Sequence, residues 1–200
     1  MGDTTIASQQ QPMTDGQIDN FVDKFRAAFK RFLRKENPRP SIRELGGTIV
    51  LPRTGGSLAR EKFVAGSSSV RIGFVDKNFQ KWFGGKVVEL EGEPQLFYAM
   101  LTKPSCDGEI LSTLGDKPET TLGPIYALML LQSDGEDGVL LTNGHANIFY
   151  VEGEDGELRA LGVCWLWGAA WCVGARSVSD PGRWHEGSRV FCGDSLKLGS

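Results

Sequence analysis

Between residues 139 and 191 the chain alternates short aromatic and β-branched runs with turn-forming glycines. That alternation constrains the fold more than any other feature, because it demands several short strands joined by tight reversals. Residues 139–142 and 145–151 flank Asn143-Gly144, the strongest two-residue hairpin signal, since both positions tolerate positive φ. The Gly-rich stretch 153–156 turns the chain into residues 157–165, and a reversal at 167–169 leads to residues 170–178. Residues 187–191 offer a last strand. Short turns make sequential strands antiparallel neighbours, so the expected unit is a C-terminal meander of four or five strands.

Register follows from the same logic. A three-residue loop at 167–169 sets Trp165 opposite Trp171, Val163 opposite Val173 and Cys164 opposite Cys172. Alternation then gives the tryptophans and valines one side of the sheet and both cysteines the other. Four of the five tryptophans (Trp165, Trp167, Trp171 and Trp184) fall in the last fifth of the chain. Trp165 and Trp171, with Trp184 and Tyr150, are the candidate aromatic binding surface. The competing account is core closure, because a small sheet needs large side chains to seal it.

The N-terminal part reads differently. Residues 1–14 are polar with three consecutive glutamines, and a disordered tail is expected. From Asp15 onward, Ile18, Phe21, Val22, Phe25, Ala28, Phe29 and Phe32 recur at spacings of three and four, one stripe of a helix. Asp15, Asp19 and Asp23 lie toward its start and Lys30, Arg31, Arg34 and Lys35 toward its end, an order that complements the helix dipole. Asn37-Pro38 stops it.

The centre is mixed. Residues 47–52 read as a strand, followed by a Gly-rich turn and a short helix from Leu58 with Ser57 as its cap. A strand–turn–helix step of this kind can cradle phosphate on helix-start N–H groups, which makes Thr54, Gly55, Gly56 and Ser57 the alternative anion site. No phosphate-loop or dinucleotide fingerprint accompanies it. Residues 70–75 read as a strand, and Asp76 as the cap of a helix carrying Phe79, Trp82 and Phe83. Residues 87–90 suggest another strand, 97–101 fit strand or helix, and 108–114 a short helix. Residues 122–132 are apolar nearly all round, which places that helix in the core. The polar break at 133–138 is an alternative domain boundary.

Composition excludes several functions. Forty per cent hydrophobic and 24% charged residues describe a globular chain. The net charge of −3 hides an uneven spread: residues 1–60 carry +4 and residues 61–200 carry −7. The acidic body gives no drive toward nucleic acid or anionic membranes. No segment is apolar for the roughly 18 residues that a membrane span needs. With no secretory leader, a cytoplasmic location is expected. Four cysteines and two histidines show no metal-ligand spacing, so no metal or cofactor is expected. In a reducing compartment Cys164 and Cys172 are expected as thiols.

Catalytic signals are sparse. His145 is explained by the Asn143-Gly144 turn beside it, and His185 lies in a Pro-Gly-containing loop. Glu89, Glu91 and Glu93 alternate along one stretch and are read as a solvated strand edge. The expectation is therefore an α+β chain with a tail at 1–14, one domain at 15–192 and a flexible end at 193–200. Its elements are the basic amphipathic N-terminal helix, the mixed centre and the meander. Its expected function is that of a non-enzymatic cytoplasmic module that binds a protein partner through the aromatic meander and the basic helix. The alternative is an enzyme or binder of a phosphorylated or nucleotide-like ligand at residues 54–57.

Overall fold

The computed structural model describes residues 42–44, 51, 55–90, 96–115, 118–166 and 170–193. The basic helix expected at 15–35, the 167–169 loop and the two expected tails, apart from Gly193, lie outside the described residues. The elements run β1 (Ile42–Glu44), β2 (Ser57–Leu58), α1 (Ala59–Lys62), β3 (Ile72–Val75), α2 (Lys77–Phe83) and β4 (Val87–Val88). They continue with β5 (Phe97–Leu101), α3 (Asp107–Leu114), α4 (Leu122–Leu131), β6 (Asn147–Glu152), β7 (Leu158–Leu166), β8 (Ala170–Ser177) and β9 (Arg189–Cys192).

Seven strands form one sheet in the order β1-β5-β9-β6-β7-β8-β3, and β2 pairs with β4 separately. Most pairs are antiparallel, but β6 runs parallel to β9 and β3 parallel to β8. Helices beside a mixed sheet make the class α+β. The register at β7/β8 is the one read from the turn spacing, with Val163, Cys164 and Trp165 facing Val173, Cys172 and Trp171.

Two features of the expected meander change. It contains three strands, β6 to β8, because β9 returns across the sheet to the far side of β6. The long connection allows this, since it is pinned on the way by paired main-chain bonds between Ser105 and Trp184 and between Leu101 and residues 187–188. The vacated flank of β8 is taken by β3, which the sequence places a hundred residues upstream. The second change is at Asn143-Gly144. The turn forms, with Gly144 at φ 88°, but residues 139–142 are not a strand. Side-chain amides stand in for the missing ladder: Gln132 accepts from Leu140 N–H and donates to its carbonyl. Asn147 treats Leu141 in the same way. With β7 and β9 occupying both flanks of β6, no main-chain partners on β6 remain for this segment, and its buried amide groups must be satisfied by other means.

Each sheet face carries its own core. One face packs Phe149, Leu161, Val163, Trp165, Trp171, Val173 and Phe191 against α1, α2 and the almost fully buried α4. Asp76 caps α2 as its sequence suggests, accepting from Phe79 N–H at 2.6 Å. The other face packs Ala99, Ile148, Tyr150, Ala160 and Val190 against Ile110 and Leu114 of α3.

Candidate functional site

The second face holds the most polar part of the interior. Asp107 opens α3 with no exposed surface. A carboxylate in such a position is costly unless its lone pairs are filled. Three donors fill them: the Tyr150 hydroxyl donates to Oδ1 at 2.9 Å, Trp184 Nε1 donates to the same oxygen at 2.6 Å, and Arg176 Nε donates to Oδ2 at 2.9 Å. Arg176 Nη2 adds an ion pair to Oδ2 at 2.7 Å. The guanidinium also lies 3.9 Å from the centroid of the Trp184 ring, a cation–π contact of about 0.5–2 kcal/mol. Burial, and then the facing Asp107, push the Tyr150 phenol well above its ordinary range, so it stays protonated and donates. Helix α3, strands β6 and β8 and the loop after β8 are thereby tied at one point.

A second carboxylate extends the arrangement outward. Glu109 accepts from Cys106 N–H at 3.0 Å and from both terminal nitrogens of Arg183 at 3.2 Å. The Cys106 N–H, and after it Arg183, hold the Glu109 carboxyl below its usual range. Arg183 also donates to the Pro104 carbonyl. The loop that carries Trp184 is thus fixed on both sides of the indole.

Against this wall lies an open pocket of about 780 Å³. The turn at Asn143, Gly144 and His145 forms one side, and Cys164, Trp165 and Leu166 at the end of β7 form the floor. Arg176, Trp184, His185 and Ser188 complete it. His145 is half-buried, His185 exposed, and among the described residues neither imidazole is hydrogen-bonded to a carboxylate or a thiol. Among the same residues, no three His, Cys, Asp or Glu side chains gather closely enough to hold a metal ion.

The four aromatic residues singled out from the sequence do not share one surface. Trp165 and Trp171 are 4% and 0% exposed and pack edge to face at 5.1 Å in the first core. Trp171 Nε1 is satisfied by the Gln132 carbonyl at 2.8 Å. Tyr150 is buried on the opposite face, beneath α3. Trp184 alone is half-buried at the pocket. Burial wins for Trp165 and Trp171 because they point into the helix-packed first core, and for Tyr150 because α3 covers it on the second face.

The Gly-rich turn has its own geometry. Thr54 lies outside the described residues, and Gly55 and Gly56 are exposed. A Cβ on Gly56 would come 3.4 Å from the Glu89 carboxylate. Ser57 is part of β2 rather than a cap. The N–H groups that begin the four-residue α1 are already occupied: Leu58 donates to Glu61, Ala59 to the Lys86 carbonyl and Arg60 to the Gly84 carbonyl. Glu91 and Glu93 also lie outside the described residues.

Sequence reasoning missed Asp107 and Arg176. Asp107 shows only as one acid in the first turn of a short helix, an ordinary dipole-matched position. Its partners are 43, 69 and 77 residues away, so no local spacing connects them. Among the described residues, no helix is long and apolar enough to cross a membrane. No family model matches the chain, and neither the curated proteins nor the solved structures contain a match to it.

Proposed function

We propose that this chain is a non-enzymatic cytoplasmic protein-interaction module whose contact surface is the uncovered end of the second sheet face. One observation carries the reading. Helix α3 covers that face over β5, β9 and β6, while at the β7–β8–β3 end Leu166 lines the 780 Å³ pocket at 39% exposed and Phe74, farther along the same face, is 55% exposed. Phe74 pairs with Cys172 in the parallel ladder, so it extends the same face to the sheet edge. Exposed large apolar side chains on one face, beside a preformed cavity at one end of it, are a common build of partner surfaces.

The polar groups support binding over chemistry. Both oxygens of Asp107 are taken by Tyr150, Trp184 and Arg176, and Glu109 is taken by Cys106 and Arg183. Carboxylates saturated in this way set the shape of a wall; they are not poised to move a proton. The aromatic contribution to the surface narrows to Trp184, and the basic segment at 15–35 is proposed as a second contact.

The test is affinity capture with the full chain from native lysate, comparing wild type with Leu166→Glu and with Val87→Glu, an exposed apolar position elsewhere. Circular dichroism and thermal melts establish that all three fold. Proteins retained by wild type and Val87→Glu but lost by Leu166→Glu support the surface. Identical capture by all three overturns it.

A further inference from the structure

Cys164 on β7 and Cys172 on β8 are direct partners across an antiparallel ladder, and both are thiols. Main-chain directions fix which kind of pair they make. Trp171 N–H donates to the Arg71 carbonyl and the Val173 carbonyl accepts from Asp76 N–H. Residues 171 and 173 therefore turn their main chain toward β3, and Cys172 between them turns toward β7. On the facing strand the Val163 carbonyl accepts from the Asn147 side chain on the β6 side, so the next residue, Cys164, turns toward β8. The two cysteines thus exchange both main-chain hydrogen bonds, and such pairs have Cα atoms about 5.5 Å apart. Disulfides take Cα separations of roughly 4.4–6.8 Å, most often about 5.5–6 Å. Facing Cβ atoms lie about 4.5–5.5 Å apart, at the wider end in hydrogen-bonded pairs. A disulfide takes about 3.5–4.5 Å, so closure keeps the register but requires the two strands to draw together locally by about 1 Å.

The pair is also reachable. Both residues are half-buried rather than enclosed; Cys164 lines the pocket, and Cys172 adjoins exposed Phe74. We propose that Cys164 and Cys172 form a facing dithiol that closes, slowly at neutral pH, to an intramolecular disulfide by exchange with a low-molecular-weight disulfide such as oxidised glutathione. The Cys172 thiol, nearer the sheet edge, gives up its proton and its thiolate attacks one sulfur of the reagent. An S–S bond to Cys172 forms, the reagent's S–S bond breaks, and the first glutathione leaves as a thiolate that takes up a proton. Cys164 then loses its proton and attacks the Cys172 sulfur, expelling the second glutathione. Two thiols are oxidised, one reagent disulfide is reduced to two thiols, and two protons pass to them. The facing register makes the second step intramolecular, which favours closure over a lasting mixed disulfide.

Burial raises both thiols, Cys164 to about 11, with Cys172 assisting there and Asp76 adding to the shift at Cys172. The thiolate fraction is therefore small at neutral pH, and the exchange accelerates as pH rises. The new bond pins β7 to β8 at the pocket floor and removes a thiol from its lining.

The experiment equilibrates the purified full chain in glutathione buffers from fully reduced to strongly oxidising. Samples are quenched by alkylation and read by intact mass and peptide mapping. The expected product has lost two hydrogens, carries no glutathione and yields a cross-linked pair of peptides containing Cys164 and Cys172. With Cys164→Ser, or Cys164→Ala if the first variant folds poorly, a glutathione adduct accumulates at Cys172 instead. Alkylation of both cysteines in every buffer overturns the proposal. A stable glutathione adduct on wild type, or a bond involving Cys106 or Cys192, overturns it equally.

Discussion

Arg176 on β8 holds Asp107 at the start of α3 through an ion pair of 2.7 Å, and the same guanidinium lies 3.9 Å from the centroid of the Trp184 ring. One side chain thereby joins the sheet to its covering helix and to the loop that walls the pocket. Its energetics are those of a buried charge pair, in which each partner is expensive once the other is gone.

Replacing Asp107 by Ala is expected to cost about 3–5 kcal/mol in urea unfolding, because half-buried Arg176 loses its counter-charge and the Tyr150 hydroxyl and Trp184 N–H lose their acceptor. Arg176→Met removes that charge, so the double variant Asp107→Ala/Arg176→Met should lose clearly less than the sum of the two single losses. The coupling should exceed about 0.5 kcal/mol, the scale on which interacting neighbours depart from additivity. Strict additivity in the cycle would mean that the pair does not act as a unit.

Trp171→Ala should destabilise by about 3–5 kcal/mol, as expected for an aromatic side chain removed from a packed core. It has no exposed surface, packs against Trp165 and donates to the Gln132 carbonyl. Leu166→Ala, at an exposed position, should fall within about 0.5 kcal/mol of wild type. Chemical denaturation of the two variants separates core from surface at this end of β7 and β8.

Gly135→Ala is expected to be strongly destabilising although position 135 lies in a turn. Gly135 has φ 73°, and a Cβ there would sit 2.2 Å from the Trp165 ring. Both the left-handed backbone and the collision with a buried indole oppose any side chain. A lowered melting temperature, with loss of the near-ultraviolet tryptophan signal, is the expected readout.

Glu109 gives a pH dependence with a definite sign. Its carboxyl is held below the ordinary value by the Cys106 N–H and by Arg183. The stabilisation is therefore present above the unfolded-state value near 4.5, and it is lost as pH falls through the lower folded-state value. Glu109→Gln should flatten the acid limb of the stability curve while changing the neutral region less. An unchanged acid limb in the variant would show that the contacts with Cys106 and Arg183 are not retained in solution.

Much of this architecture is written in local pattern. The buried helix at 122–131, the Asp76 cap and the three-stranded run from β6 to β8 follow from apolar periodicity and turn residues. The pairing of Cys164 with Cys172 follows too, because the side-chain period of two and the length of a tight turn fix which residues face each other. The failure at 139–142 is equally physical. Asn143-Gly144 specifies a turn but cannot specify that main-chain partners will be available, and β9 takes the flank that a hairpin strand would have used.

What the amino-acid order settled by itself is whatever neighbouring residues can enforce: helix ends, tight turns and the facing register of β7 and β8. Assembly in three dimensions settled the rest. It placed β3 and β9 on opposite sides of the meander, sent Tyr150 to one face and Trp171 to the other, and brought Asp107, Tyr150, Arg176 and Trp184 to one point. The reason is that a buried carboxylate must be satisfied from wherever donors can reach it, and that demand leaves no periodic trace along the chain.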